Sequence, residues 1–163
     1  MKRLFIVRHG KSDWDFQSVK DIDRTLKERG ISDGYKMARR LLEKELIPEV
    51  IISSDAIRAL HSAAIFRRVL GLPPAALIIN PELYLAGVER ILSILFTIDD
   101  RINAVMIFGH NPGFSELAHN LSNLSIPDIP TTGMVILDFD THSWSEITKH
   151  LLSSEVFDSP GKS

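Results

Sequence analysis

The segment Leu4-Phe5-Ile6-Val7-Arg8-His9-Gly10 constrains this chain more than any other. Four bulky apolar residues in succession read as a short strand covered on both faces, which belongs inside a sheet with helices on either side. That strand runs directly into an arginine, a histidine and a glycine. In open α/β sheets ligands bind at the carboxyl ends of the strands, and Gly10 permits a tight turn or a close approach of the backbone to a ligand. Taken alone, Arg8 and His9 fit a solvated strand-to-loop transition as well as a site. The segments downstream decide between the two.

Residues 31–46 carry Tyr35, Met37, Ala38, Leu41, Leu42 and Leu46 at helical spacing, with Ser32 or Asp33 to cap the start and Pro48 beyond the end. A short buried strand over 50–52 then opens into Ser53-Ser54-Asp55 and a helix over 56–70, stopped by Gly71. A third strand over 76–79 precedes the turn Asn80-Pro81-Glu82-Leu83-Tyr84, and a helix over 88–98 places Ile91, Leu92, Leu95 and Phe96 on one face. The fourth strand, 104–108, ends at Gly109-His110-Asn111-Pro112-Gly113 before a helix over 114–121, with Pro112 suited to its first turn. After a Pro-punctuated loop over 126–130, residues 134–139 and 143–148 read as a hairpin. Such alternation predicts an α/β fold, a three-layer α/β/α sandwich with a mainly parallel sheet and right-handed crossovers. One domain over 1–152 and a flexible tail over 153–163 complete the expected organisation.

Composition narrows the chemistry. With 163 residues, 44% hydrophobic, the chain can bury a core without staples, and its lack of cysteine removes disulfides, thiolate nucleophiles and thiolate metal sites. A net charge of -2 gives no general attraction to nucleic acid or anionic membrane, so neither is an expected partner. No run approaches the roughly 20 apolar residues of a membrane span, and the four after Lys2-Arg3 are too few for a signal-peptide core. A cytoplasmic protein is the expectation.

Three segments thus share one pattern: buried strand, polar residues, helix start. Parallel topology brings Arg8 and His9, then Arg58, then His110 to one edge of the sheet. Two guanidinium forks and helix N-termini match phosphate oxygens, so a bound phosphoryl group is the economical reading.

The Arg8-His9-Gly10 motif, the arginine within Ser53-Ser54-Asp55-Ala56-Ile57-Arg58-Ala59-Leu60-His61-Ser62-Ala63, and Gly109-His110-Asn111-Pro112-Gly113 resemble the histidine phosphatase superfamily, which includes the phosphoglycerate mutases. More narrowly, Arg8-His9-Gly10-Lys11-Ser12-Asp13-Trp14, with Asp21-Ile22-Asp23-Arg24-Thr25-Leu26 and Arg29-Gly30, is similar to the short SixA-like phosphohistidine phosphatases. The likeness reaches to about Phe139. It departs at Asp55, Thr25 and Ser62, where the family often has proline or threonine; none of these must touch phosphorus.

The resemblance implies a phosphoglycerate mutase-like fold and roles residue by residue. His9 is the nucleophile that becomes phosphorylated, Arg8 and Arg58 bind the anionic oxygens, and His110 donates beside them. Neighbouring guanidiniums would keep His9 unprotonated. Glu82 is the candidate acid for the leaving group, and Arg24, oriented by Asp21, contacts substrate. No cofactor is implied, and the absence of His-x-His or Glu-rich clusters argues against a metal. The implied partner is a phosphohistidine-bearing protein, or alternatively a small phosphorylated substrate; a non-catalytic module that binds phosphorylated ligands is the third reading. His61 reads as a residue beside the site or on the helix surface, His119, His142 and His150 as exposed, Trp14, Phe16 and Tyr84 as loop anchors, and Arg39-Arg40 and Arg67-Arg68 as solvated helix edges. Lys11 would extend the positive field at the pocket mouth.

Overall fold

The computed structural model describes residues 1–14 and 18–162, so Phe16 lies outside them. Six strands form one sheet in the order β3-β2-β4-β1-β5-β6: β1 (Lys2–Arg8), β2 (Val50–Ser53), β3 (Leu77–Ile79), β4 (Ala104–Gly109), β5 (Met134–Phe139) and β6 (Leu152–Asp158). The first four run parallel; β5 is antiparallel to β1 and β6 to β5. Four helices cover the sheet: α1 (Glu28–Glu43), α2 (Ile57–Val69), α3 (Val88–Phe96) and α4 (Gly113–Leu121).

Successive residues of β1 point to opposite faces. Phe5 and Val7 pack with Met37, Ala38, Leu41 and Phe66 of α1 and α2, while Leu4 and Ile6 pack with Ile91, Leu95, Leu117 and Leu121 of α3 and α4. The three layers follow from chain path. From β1 the chain crosses over β4 to β2 and on to β3 along one face, then returns through α3 to β4 and through α4 across β1 to β5 along the other. Right-handed crossovers in opposite directions put helices on opposite faces. Connections therefore leave the adjacent strands β1 and β4 in opposite directions, which opens a crevice between their carboxyl ends.

Helix α1 begins three residues earlier than its periodicity suggests, after Lys27, so Ser32 and Asp33 lie inside it and cap nothing. The cause is tertiary. Its first turn packs on the loop after β1, where Lys27 N–H donates to the Lys11 carbonyl at 2.9 Å. A Cβ on Gly10 would sit 3.0 Å from the Gly30 carbonyl oxygen, so Gly10 is occupied by close approach to another backbone. Helices α1 and α2 end in the same Schellman pairing, α2 with Gly71 at φ 72° and α1 with Glu45 at φ 57°.

Two expectations are corrected at the far edge. Residues 143–148 do not pair with β5: Trp144 and Ile147 turn into the core, and Trp144 Nε1–H donates to the Ile102 carbonyl at 2.7 Å. The partner is β6, from the supposed flexible tail, with Met134 opposite Asp158. Arg40, read as a solvated edge, pairs with the Asp158 carboxylate at 2.9 Å and donates to Ser159 O. The third strand, β3, lies at the sheet edge with Ile78 and Ile79 exposed; a smaller correction falls in α3, where Phe96, placed on one face with Ile91, Leu92 and Leu95, is exposed and Ile94 is buried. No helix among the described residues is long and apolar enough to cross a membrane.

Candidate active site

A cleft of about 600 Å³ opens at the carboxyl edge of the parallel strands, lined among others by Arg8, His9, Asp21, Arg24, Arg58 and His110. Six of the seven residues expected at the site therefore meet around one space. Glu82 does not line it; it is exposed in the turn Pro81–Leu83 and lines a neighbouring cleft with Asn80, Glu89 and Glu116. The turn after β3 thus leaves Glu82 outside the lining of the cleft that holds His9.

His9 follows β1 and is buried, its N–H paired with Gly109 O of β4 at 3.2 Å. Its Nδ1 lies 2.7 Å from the Gly10 carbonyl, which only accepts, so Nδ1 carries the proton. Nε2 consequently holds a lone pair. Arg58 Nε faces that nitrogen at 3.4 Å, a long contact. Burial, together with the charges of Arg58, Arg8 and Arg24, pushes the His9 pKa down to about 4, against the opposing pull of the Gly10 carbonyl.

His110 follows β4, with its ring centroid 5.2 Å from that of His9. Arg58 Nη2 lies 3.3 Å from His110 Nδ1 and can only donate, so Nδ1 accepts and Nε2–H donates to Ser54 Oγ at 2.7 Å. Burial, with His9 and Arg58 nearby, lowers His110 to about 3. Both imidazoles are neutral at pH 7.

Arg58 enters from the first turn of α2 and is 2% exposed. Its Nη1 donates to Asp21 O at 2.6 Å and its Nη2 to Asp21 Oδ2 at 2.9 Å. The other carboxylate oxygen of Asp21 accepts from Arg24 Nε at 3.0 Å, and Tyr84 Oη–H donates to Oδ2. Burial alone would raise Asp21, but these hydrogen bonds outweigh it and hold the carboxylate at about 2. Arg24 also donates to Ser12 Oγ and lies beneath the Trp14 ring, 3.4 Å from its centroid.

Arg8 is anchored from the other side. Its Nη1 donates to the Ile129 carbonyl at 3.0 Å, while its buried Nε has no partner among the described residues. Asn111 Nδ2 donates to that same carbonyl at 3.0 Å, and Ser115 Oγ accepts the Ile129 N–H at 2.9 Å. Ser62 joins α2 to the histidine loop, accepting Gly10 N–H at 2.9 Å and donating to Arg58 O at 2.7 Å. A hydroxyl suffices for this, so serine serves where the resemblance leads one to expect threonine.

Sequence reasoning missed Ser54, Tyr84 and Asn111 as neighbours of the site. Asn111 and Ser54 sit inside recognised motifs, which was an available signal; Tyr84 is brought in only by tertiary structure. No group of histidine, aspartate or glutamate fit to hold a metal occurs among the described residues.

A profile described as histidine phosphatase superfamily (branch 1) matches residues 4–84. An uncharacterised chloroplastic protein of Arabidopsis thaliana is 32% identical over 155 residues, 89% of this chain and 70% of that protein. Among solved structures, the SixA protein of Agrobacterium tumefaciens superposes with a TM-score of 0.77 at 27% identity, covering 85% of this chain and 92% of that one. The protein histidine phosphatase SixA complexed with tungstate shares the fold at a TM-score of 0.78 and 22% identity, over 97% of each chain. With its phosphoglycerate mutase-like fold and these relatives, the chain belongs to the histidine phosphatase superfamily.

Proposed function

We propose that this protein is a phosphatase that works through a phosphohistidine on His9, and that its substrate is phosphohistidine on a protein. The Nε2 lone pair of His9 faces the guanidinium of Arg58 in a cleft lined by three arginines. A phosphoryl group bound by Arg8, Arg24 and Arg58 places phosphorus before that nitrogen. Nε2 then forms its bond to phosphorus as the bond to the leaving atom breaks, and water attacks the phosphoimidazole to release orthophosphate and regenerate His9. In the free enzyme the one ring N–H of His110 is directed at Ser54 and not at the cleft. His110 becomes a donor to the phosphoryl oxygens by taking a proton on Nδ1, which a nearby dianion favours.

One observation carries the choice of substrate. Asp21 is the only carboxylate among the described residues lining the cleft, and three donors keep it ionised. An alcohol leaving group needs a protonated acid. An imidazole protonated on its distal nitrogen departs as a neutral molecule and needs none, so a phosphoramidate suits this cleft better than an alkyl phosphoester.

Rapid quench with ³²P-labelled substrate tests the proposal: acid-labile label on the wild type, absent from His9→Ala, is expected. Phosphate binding without labelling or turnover would reduce the site to a phospho-ligand-binding module. Comparison of kcat/KM for a phosphohistidine protein and for sugar phosphates ranks the substrates, and higher values for the sugar phosphates would replace the protein substrate with a small one.

A further inference from the structure

The mouth of the cleft carries two large apolar side chains that phosphate binding does not explain. Trp14 is 70% exposed and Leu85 is 58% exposed, and both line the same cleft as the arginines and His9. They arrive on loops that follow β1 and β3, the outer strands of the parallel set β3-β2-β4-β1, and so approach from opposite ends of it.

Neither side chain is loosely placed. The indole of Trp14 lies on the guanidinium of Arg24, 3.4 Å from ring centroid to Cζ, and Arg24 is itself held by Asp21 and Ser12. A ring covered on one face and still largely exposed turns its other face to solvent. Leu85 has φ 52°, a left-handed conformation that a branched side chain rarely adopts. Its neighbours enforce it. Leu83 and Ala86 are buried, Ala86 N–H donates to Leu83 O at 3.3 Å, and Tyr84 is tied to Asp21, so the chain leaves Leu85 turned outward. Strained backbone of this kind, held in place by its surroundings, clusters at ligand sites.

We infer that Trp14 and Leu85 form a lip that selects for a planar ring on the leaving side of the phosphoryl group. The inference rests on the phosphatase reading of the cleft. Once the phosphoryl oxygens occupy the arginines and His9 stands in line behind phosphorus, the leaving group must project outward, towards the mouth. There the exposed indole face and the Leu85 side chain offer a ring apolar contact at the cleft's open end, where a polyhydroxylated leaving group gains little. Phosphorylated imidazole and phenyl phosphate share this ring chemistry; glycerol phosphate lacks it.

The test compares kcat/KM for free phosphohistidine and for phenyl phosphate, each divided by that for glycerol phosphate, in the wild type, Trp14→Ala, Trp14→Phe and Leu85→Ala. Intrinsic reactivities cancel when one ratio is followed across variants. Trp14→Ala is expected to lower the ratio about tenfold, the scale of one apolar contact in a specificity pocket, with recovery in Trp14→Phe and a smaller fall in Leu85→Ala. A fall with phosphohistidine assigns the lip to an imidazole, and one with phenyl phosphate alone to a phenol. Inhibition by orthophosphate, which has no leaving group, should stay within about twofold. Ratios that do not change overturn the inference, as does loss of orthophosphate binding in step with every activity, since Trp14 would then act only through Arg24. Failure of the wild type to form an acid-labile phosphoenzyme with any of the three substrates would sink the underlying reading; a phosphoenzyme with unchanged ratios sinks the lip alone.

Discussion

Asp21 grips Arg58 twice, accepting from Nη1 through its backbone carbonyl at 2.6 Å and from Nη2 through Oδ2 at 2.9 Å. The same carboxylate holds Arg24, so one internal anion occupies two of the three guanidiniums that would bind a phosphoryl group. Asp21 orients these groups and also competes for them. Asp21→Asn removes the competing charge, and orthophosphate should inhibit this variant several-fold more tightly than the wild type. Stability should fall by about 1 to 2 kcal/mol, less than for a wholly buried pair because the Asp21 side chain is 40% exposed. Product-inhibition constants and thermal denaturation measure the two effects. Weaker inhibition would show that Asp21 serves only to orient.

Arg58 touches His9, His110 and Asp21 at once. Arg58→Ala should cost about 2 to 4 kcal/mol of transition-state stabilisation, read from kcat/KM, as removal of a transition-state donor does. Lysine should not restore it, because a single ammonium cannot reproduce the fork that reaches both imidazoles and Asp21. A loss below threefold would place Arg58 outside the chemistry.

The buried imidazoles set the response to acid. His9 and His110 titrate near 4 and 3 in the folded protein, below the ordinary 6.5. Between those values and 6.5 the unfolded chain binds more protons than the folded one. Stability is therefore complete above pH 6.5 and is lost as pH falls towards 4. Tm measured at pH 7, 5.5 and 4.5 should drop progressively, and His9→Asn should flatten the slope. A wild-type Tm constant over this range would mean that both rings are charged, or solvated, in the native state.

Ser54 accepts a hydrogen bond from the proton that Arg58, facing Nδ1, leaves on Nε2 of His110. Ser54 Oγ also accepts from Ala56 N–H at 3.3 Å, so the hydroxyl sits between the start of α2 and the imidazole. Ser54→Ala leaves a buried Nε2–H without its partner and removes the contact that holds the ring's orientation. We expect kcat to fall about 10- to 100-fold, the scale known for groups that orient functional histidines, with KM little changed and recovery in Ser54→Thr. The ¹⁵N shifts of the His110 ring report the hydrogen bond at Nε2; the same shifts in wild type and Ser54→Ala would refute the role.

The centre of this molecule was legible in the sequence and its edges were not. Leu4 to Val7 could only be a strand covered on both faces, and the helices around it follow from apolar spacing, so the order of the layers and the convergence of Arg8, His9, Arg58 and His110 came from local pattern plus crossover handedness. Residues 143–148 misled because Trp144 and Ile147 look like strand residues, yet their destination under α3 is a tertiary fact. The Ser-rich β6 carries almost no strand signal of its own; it is held by pairing to β5 and by Arg40. Glu82 failed for a related reason, since a turn of Pro-Glu-Leu fixes proximity in sequence but not the direction in which its carboxylate points. Tyr84, two residues later, faces the site instead.

The turn that carries His110 is packed without slack against the loop that carries Leu85. A methyl group at Gly113 would overlap the carbonyl oxygen of Ala86, and both partners are backbone, so neither can rotate away. Gly113→Ala should destabilise by about 3 kcal/mol or more, the upper range for overpacking, because relief requires moving α4 or the β3–α3 loop. Gly71→Ala is the control. No atom lies within 4 Å of a Cβ there, and only its φ of 72° opposes alanine, a penalty of about 1 to 2 kcal/mol. Chemical denaturation of both variants should rank Gly113→Ala as the worse and leave the m-value of Gly71→Ala unchanged. The reverse order would mean that the loops at His110 and Leu85 can separate freely, and that the mouth of the cleft is not the fixed surface described above.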